Sequence, residues 1–316
     1  MLEKSALIFG GGGFLGSNLT RTLLRDGWVV TVVDNWSTGS KANLHELAEH
    51  KNLTVLTGDI CDGVPETNAG TIFNLACMAS PPAYQTDPIG TWRASVFGVS
   101  NLLDYIQRTG VRLVHASTSE VYGDPKQHPQ SESYWGHVNP IGERACYDEG
   151  KRAAEALLFD YRRVHGVDAR TVRIFNTYGP FMNADDGRVV SNFINQALRN
   201  QPLTIFGDGS QTRSFCYVSD LVAGIIALAN VDTEIDAPIN LGNPGEFTVG
   251  ELADLVIKMT GSKSDRVHMP LPSDDPARRR PDITKAKKLL GWAPEVDLRS
   301  GLEDTIAYFD GKLSKS

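Results

Sequence analysis

Apolar residues recur along the chain in short runs separated by longer stretches of helical periodicity. Residues 6–9, 28–33, 53–56, 71–75, 113–116 and 169–175 read as strands. Residues 17–26, 91–109 and 146–165 read as helices, each followed closely by a glycine suited to a C-terminal cap: Gly27, Gly110 and Gly166. This alternation predicts an α/β fold, a Rossmann-like doubly wound parallel sheet covered by helices. After Asn176 the texture shifts to loops rich in Gly and Pro, with a helix over 189–199, a strand over 203–206 and a turn over 207–210. Residues 219–230 are again helical and 237–241 strand-like, which returns the chain to the sheet before a last segment from Gly242. The expected division is discontinuous. Residues 1–175 plus about 214–242 form a cofactor-binding domain, and about 176–213 plus 243–316 form a smaller C-terminal lobe whose last six residues read as disordered.

The loop between the first strand and helix sharpens this picture. Gly10-Gly-Gly-Gly13-Phe14-Leu15-Gly16 places Gly10, Gly13 and Gly16 in the spacing G-x-x-G-x-x-G. Missing side chains there permit a tight turn, close approach of a pyrophosphate to the helix N-terminus, and close packing of helix on strand. Asp34 ends the second strand roughly 20 residues further on, where a carboxylate accepts from ribose hydroxyls and repels a 2′-phosphate, which favours NAD over NADP. Asp59 and Ile60, after the third strand, read either as a border to the adenine or as a solvated turn.

A second constellation carries chemistry. Tyr147 and Lys151 share one helix face. If the Lys charge and a nearby nicotinamide lower the phenol pKa, Tyr147 can take a hydroxyl proton while hydride leaves the same carbon. Thr118 is expected to hold the substrate oxygen. Glu120 supplies a carboxylate that plain alcohol oxidation does not require, which points to a second chemical step.

Composition narrows the class without changing it. The 316 residues carry a formal net charge of −7, against a nucleic-acid surface. Cys61, Cys77, Cys146 and Cys216 are far apart and form no C-x-x-C pair, consistent with a reducing cytoplasm. No apolar stretch approaches the roughly 20 residues that span a bilayer, so no membrane association is expected. The seven histidines show no metal-ligand spacing, and no metal is expected.

Read together, these motifs make the chain similar to the extended short-chain dehydrogenase/reductases, and among them to the UDP-glucuronic acid decarboxylases. The likeness spans nearly the whole chain. It is most specific in Asp34-Asn-Trp-Ser-Thr-Gly39, Asn74-Leu-Ala-Cys-Met-Ala-Ser-Pro-Pro82, Arg173-Ile-Phe-Asn-Thr-Tyr-Gly-Pro180, and the segments 117–125, 134–140, 145–151, 186–193 and 209–217. The resemblance implies NAD contacts at Gly13, Phe14, Leu15, Asp34, Asn35, Trp36, Ser37, Thr38 and Gly39. It adds Asp59, Ile60, Leu75, Thr91, Tyr147, Lys151, Thr177 and Arg188. It implies catalytic roles for Thr118, Glu120, Tyr147, Lys151 and Arg279, the last within a run in which Arg278 and Arg280 read as a solvated basic face. For a UDP-sugar it implies Asn176, Arg188, Val189, Asn192, Thr204, Phe206 and Arg213, with Glu120 and Arg279 at the sugar. A homodimer through the helices 91–109 and 146–165 is also implied. The chain departs from the family pattern at Phe9, where Thr is usual, at Phe181, where Arg is expected, and at Gly90 and Ser95, where many members have Lys and Asn.

The activity so implied is redox-neutral. Oxidation of UDP-glucuronate at C4 makes a β-keto acid, which loses carbon dioxide; protonation at C5 and re-reduction at C4 then give UDP-xylose, with neither metal nor pyridoxal phosphate required. A 4,6-dehydratase would need an Asp beside Glu120, where the chain has Ser119. A nucleotide-sugar 4-epimerase and an inert NAD-binding regulator are the alternatives.

Overall fold

The computed structural model describes residues 4–271 and 278–314. Six strands, β1 (Ser5–Phe9), β2 (Val29–Asp34), β3 (Leu53–Thr57), β4 (Thr71–Asn74), β5 (Arg112–Thr118) and β6 (Ala169–Ile174), join the short strand Ile239–Leu241 in one sheet. Its order is Ile239–Leu241, β6, β5, β4, β1, β2, β3, and every pairing is parallel. The chain starts at β1, moves outward through β2 and β3, then crosses over to β4 and continues the other way. That reversal leaves a crevice beyond the C-terminal ends of β1 and β4, where such folds bind ligands. Leu7, Ile8 and Phe9 on β1 are fully buried, as expected of a central parallel strand covered on both faces.

Eight α-helices complete the described residues: α1 (Phe14–Arg25), α2 (Pro81–Thr86), α3 (Pro88–Thr109), α4 (Ala145–His165), α5 (Val189–Leu198), α6 (Val218–Asn230), α7 (Val249–Thr260) and α8 (Leu298–Leu313). Helix α1 begins at Phe14 rather than 17, because the helical turn takes in Gly16. Helix α3 begins at Pro88 rather than 91; Asp87 caps it by accepting from the Gly90 amide (2.8 Å), and Pro suits the first helical turn. Gly110 and Gly166 are left-handed caps, and Gly27 follows the Asp26 cap with φ 81°. Two further helices lie in the segment after Gly242. The first, α7, carries a capping box between Thr248 and Glu251, a signature present in the sequence. Helix α8 runs to Leu313, so the first three of the six tail residues expected to be disordered are helical; Lys315 and Ser316 lie outside the described residues.

One face of the sheet packs on α3 and α4, through Val99, Leu102, Leu103, Ala154 and Leu158. The other face packs on α1 and α6, and its apolar cluster continues without a break into α5, α7 and α8. Beside these last helices lie two small sheets: Leu203–Phe206 with Arg266–Met269, and Glu246–Thr248 with Thr212–Ser214 and Arg278–Arg279. They face the crevice across from the strand ends.

Candidate active site

The floor of the crevice is made of backbone. Gly10 has φ 76°, and a Cβ there would lie 2.8 Å from the Leu75 carbonyl carbon; a Cβ on Gly16 would lie 2.1 Å from the Gly10 carbonyl oxygen. Gly13 caps α1 in extended geometry with no side chain over the helix end, which leaves the first-turn amides free to receive an anion. Asp34, 6% exposed, ties this loop down: one carboxylate oxygen accepts from the Gly12 amide and the other from the Trp36 amide, both at 2.8 Å. Burial raises its pKa and the two amide bonds oppose that rise. Each oxygen keeps a second lone pair, the acceptor capacity a ribose diol needs. Asn35 donates to Asp59 (2.6 Å), which joins the ends of β2 and β3. A cradle of missing Cβ atoms, an open helix N-terminus and a strand-end carboxylate together fit NAD.

Gly10, Gly13, Phe14, Leu15, Gly16, Asn35, Ser37, Thr38, Gly39, Ile60, Leu75 and Thr177 all line the cleft with Asp34 and Asp59. Two expected cofactor residues do not. Thr91 is fully buried, and its hydroxyl donates to the Asp87 carbonyl in its own helix (2.8 Å). Trp36 has φ 64°, and its indole donates to Thr57 (2.9 Å), so the ring braces the loop from behind.

Thr118 ends β5 and caps the short turn that follows it by accepting from the Glu120 amide (3.2 Å). Tyr147 and Lys151 come from α4, which packs along α3. The Lys151 ammonium donates to the Ala116 carbonyl (2.8 Å) and stands 5.9 Å from the centroid of the Tyr147 ring. Tyr147 stacks almost parallel on Tyr84 of α2, with centroids 5.3 Å apart. The expected lowering of the phenol pKa is not present in the chain by itself. Burial pushes Tyr147 up, the adjacent Cys77 thiol adds to this, and the hydrogen bond with Thr118 only partly offsets them. One of the three Lys151 N–H donors is taken by the Ala116 carbonyl, and two remain for the phenol side of the cleft.

Glu120 is gripped from two sides. Arg144 donates to one oxygen (2.7 Å) and Arg279 to the other. Burial works to raise its pKa, but Arg279 and Arg144 overcome burial and draw it down to about 2. The Glu120 carboxyl is therefore held ionised at neutral pH. Arg279, 3% exposed, is turned inward, whereas Arg280 is half exposed and pairs with Glu246 (3.4 Å) and Arg278 is exposed. Asp148 follows Tyr147 on α4. Burial, then the charge of Glu120, push its carboxyl up to about 7, and its Oδ1 has no hydrogen-bond partner.

Across the cleft stand Asn176, Arg188, Val189, Asn192, Thr204, Phe206 and Arg213, with Glu120 and Arg279 between them and the glycine loop. Arg188 donates to the Ala79 carbonyl (3.2 Å), Thr204 accepts from Gln196 (3.0 Å), and Arg213 donates to the Thr212 carbonyl (2.9 Å). Sequence reading missed Arg144, Tyr84 and Asp148. Arg144 stands three residues before Tyr147 at the start of α4, and that spacing on one turn was the available signal. Of the departures, Phe9 is plain core. A Cβ on Gly90 would lie 2.1 Å from an Asp87 carboxylate oxygen, and Ser95 meets the Cys77 sulfur at 3.3 Å. Phe181 adopts φ 72° with the Arg21 guanidinium 3.7 Å over its ring.

Fold and cleft define a dinucleotide-dependent enzyme class, and the chain belongs to the NAD dependent epimerase/dehydratase family, whose pattern matches residues 6–242. Within that family its relatives share a narrower name. The chain is 52% identical over 311 residues to UDP-glucuronic acid decarboxylase 1 of Danio rerio, covering 98% of this chain and 74% of that protein. It is 52% identical over 297 residues to UDP-glucuronic acid decarboxylase 5 of Arabidopsis thaliana, covering 94% and 86%. Among solved structures, UDP-glucuronic acid 4-epimerase from Bacillus cereus in complex with UDP-glucuronic acid and NAD superposes with TM-score 0.87 at 26% identity, covering 98% of this chain and 99% of that one.

Proposed function

We infer that the chain is an NAD-dependent carboxy-lyase that converts UDP-glucuronate to UDP-xylose. The observation that carries this reading is the buried Arg144–Glu120–Arg279 cluster beside Thr118 and Tyr147. Its net charge is positive, which suits an anionic sugar, and Ser119 stands where a dehydratase needs an acid. Gly10 to Gly16 and Asp34 hold the dinucleotide. When bound, NAD accepts hydride from C4 of the sugar and returns it there. Thr118 and Tyr147 hold the C4 hydroxyl, and Tyr147 takes its proton. Burial raises the Tyr147 pKa, and the positive charges beside it, Lys151 and the nicotinamide when bound, would act against that rise. Arg279 orients the carboxylate of the substrate. Once C4 is a ketone, the C5–C6 bond breaks, carbon dioxide leaves, and the electron pair is delocalised onto the C4 oxygen, where Tyr147 is placed to stabilise the enolate. Glu120 remains ionised and accepts from a sugar hydroxyl or a water, and the proton that reaches C5 originates in solvent. Arg188, Asn192, Thr204, Phe206 and Arg213 hold the UDP.

Two coarser attributes belong to the same reading. The protein acts as a homodimer, supported by the apolar side chains of Ile89, Trp92 and Phe97 that α3 presents to solvent, with Ile141 ahead of α4. Its compartment is the cytoplasm, supported by four unpaired cysteines; among the described residues no helix is long and apolar enough to cross a membrane. The same reading assigns residues 1–175 plus about 214–242 to a cofactor domain and about 176–213 plus 243–316 to a nucleotide-sugar lobe.

Incubation with UDP-glucuronate and NAD in deuterated water tests the function. Carbon dioxide release with deuterium at C5 of a UDP-pentose supports it, and an intact carboxylate with inverted C4 selects the epimerase instead. Tyr147→Phe is expected to lower turnover by roughly 10²–10⁴-fold while NAD binding persists.

A further inference from the structure

Arg279 lies on a strand of two residues, Arg278–Arg279, yet its guanidinium meets Glu120 from a distance of 159 positions along the chain. Something other than its own element must hold it. Its backbone pairs in parallel with Arg213, and its carbonyl accepts from the Ser214 hydroxyl (3.2 Å). The next residues are held by Gln130, which is fully buried. The Arg280 amide donates to the Gln130 side-chain oxygen (2.8 Å), the Gln130 amide to the Arg280 carbonyl (2.9 Å), and the Asp282 amide to the Gln130 carbonyl (2.9 Å).

Gln130 is held in turn by Asn240, the fully buried middle residue of the edge strand Ile239–Leu241. The side-chain amide of Asn240 donates to the Gln130 carbonyl (3.0 Å) and the Asp282 carbonyl (3.1 Å), and its oxygen accepts from the Tyr122 hydroxyl (2.7 Å). The same hydroxyl accepts from Arg173 (3.0 Å), Arg173 grips Glu155 with two nitrogens, and Glu155 accepts from the Ser117 hydroxyl (2.5 Å). Ser117 precedes Thr118 on β5, and Glu155 lies one turn beyond Lys151 on α4. A continuous buried polar chain therefore joins the Thr118–Lys151 end of the centre to the segment that carries Arg279. Asn240 and Gln130 do not line the cleft, so neither touches substrate.

We propose that Asn240 is a positioning residue that sets the register of the Arg279 segment against Glu120, and through it the affinity for the sugar carboxylate. An apolar contact at this point would tolerate sliding. A buried amide with both hydrogens and its oxygen engaged does not, because each displaced bond leaves a desolvated polar group. The proposal rests on the reading that Arg279 meets the carboxylate of the substrate, and the test separates the two.

Dissociation constants for UDP-glucuronate and for UDP, which lacks the carboxylate, are measured by calorimetry on NAD-loaded protein carrying Tyr147→Phe so that substrate is not consumed. Adding Asn240→Leu, close in shape but without hydrogen bonds, is expected to weaken UDP-glucuronate by about tenfold and UDP by less than about twofold. Equal weakening of both ligands would indicate a general structural defect and overturn the proposal, as would no change in either. If Asn240→Leu does not fold, Tyr122→Phe removes the partner of the Asn240 oxygen and keeps the ring; it should shift the same ratio by a smaller factor, and an unmoved ratio overturns the proposal. Arg279→Gln is the reference. Should it leave the ratio unchanged, the role of Arg279 itself fails and the proposal falls with it; should it collapse the ratio while Asn240→Leu and Tyr122→Phe do not, only the positioning role fails.

Discussion

The two halves of the cleft are built on opposite principles. The cofactor floor works through what is missing: glycines at 10 and 16 leave room that any side chain would fill, and the amides at the open end of α1 are left to receive an anion. The Glu120 cluster works through what is added: three charged side chains from distant segments, with one carboxylate held between two guanidinium groups. The first is specified within a few consecutive residues and tolerates almost no change. The second is specified only by the fold, and its members tune one another, so that loss of one changes the protonation or pairing of the rest.

Substitution can probe that contrast, and the largest effect should come from the floor. Gly16→Ala places a methyl group 2.1 Å from a backbone oxygen that cannot move aside. Overpacking of this kind costs about 1–3 kcal/mol, and the purified variant is expected to carry no NAD, read from its absorbance, with a lowered melting temperature. Retention of NAD would mean that the loop is softer than its geometry implies. Next is the charged cluster: Glu120→Gln keeps the volume but removes the carboxylate that Arg144 and Arg279 share. Turnover should fall roughly 10²-fold with NAD affinity unchanged, which kinetics and a cofactor titration would report separately. Equal losses in both would erase the distinction between the halves.

The smallest effect concerns pH and has two signs. Glu120 has a folded pKa of about 2, below its ordinary value of 4.5, so it contributes stability above that ordinary value which is lost as pH falls toward 2. Asp148 is the reverse: its folded pKa of about 7 lies above the ordinary 3.8, so the folded state loses stability from this group as pH rises between them. Asp148→Asn is therefore expected to raise the melting temperature by roughly 2–4 °C for each kcal/mol relieved at pH 8 and to leave it unchanged at pH 4. A gain of equal size at both pH values would show that packing, not ionisation, is responsible.

The same contrast explains how much could be read in advance. The sheet and the glycine loop were legible because alternation and spacing are local properties of the chain, and Asp34 falls at a fixed distance from that loop. The helix α2 was not, since six residues that open on two prolines carry no period. Arg144 was hidden because its partner at 120 belongs to a different element, and Asn240 and Gln130 because an isolated amide in a sequence says nothing about burial. The depth of the Tyr147 phenol was hidden for a related reason. Helical spacing brings Lys151 to the same face, but it does not reveal that the ammonium is engaged by Ala116 or how deeply the phenol lies.

The stacked pair of Tyr84 and Tyr147 has a bearing on timing. Exposed aromatic rings change rotamer within nanoseconds, but a ring pressed nearly parallel against a neighbour that is 1% exposed is held in place. The phenol oxygen therefore has no search to perform: under the proposed mechanism, the proton that leaves the sugar and the proton that returns to it would meet one fixed point.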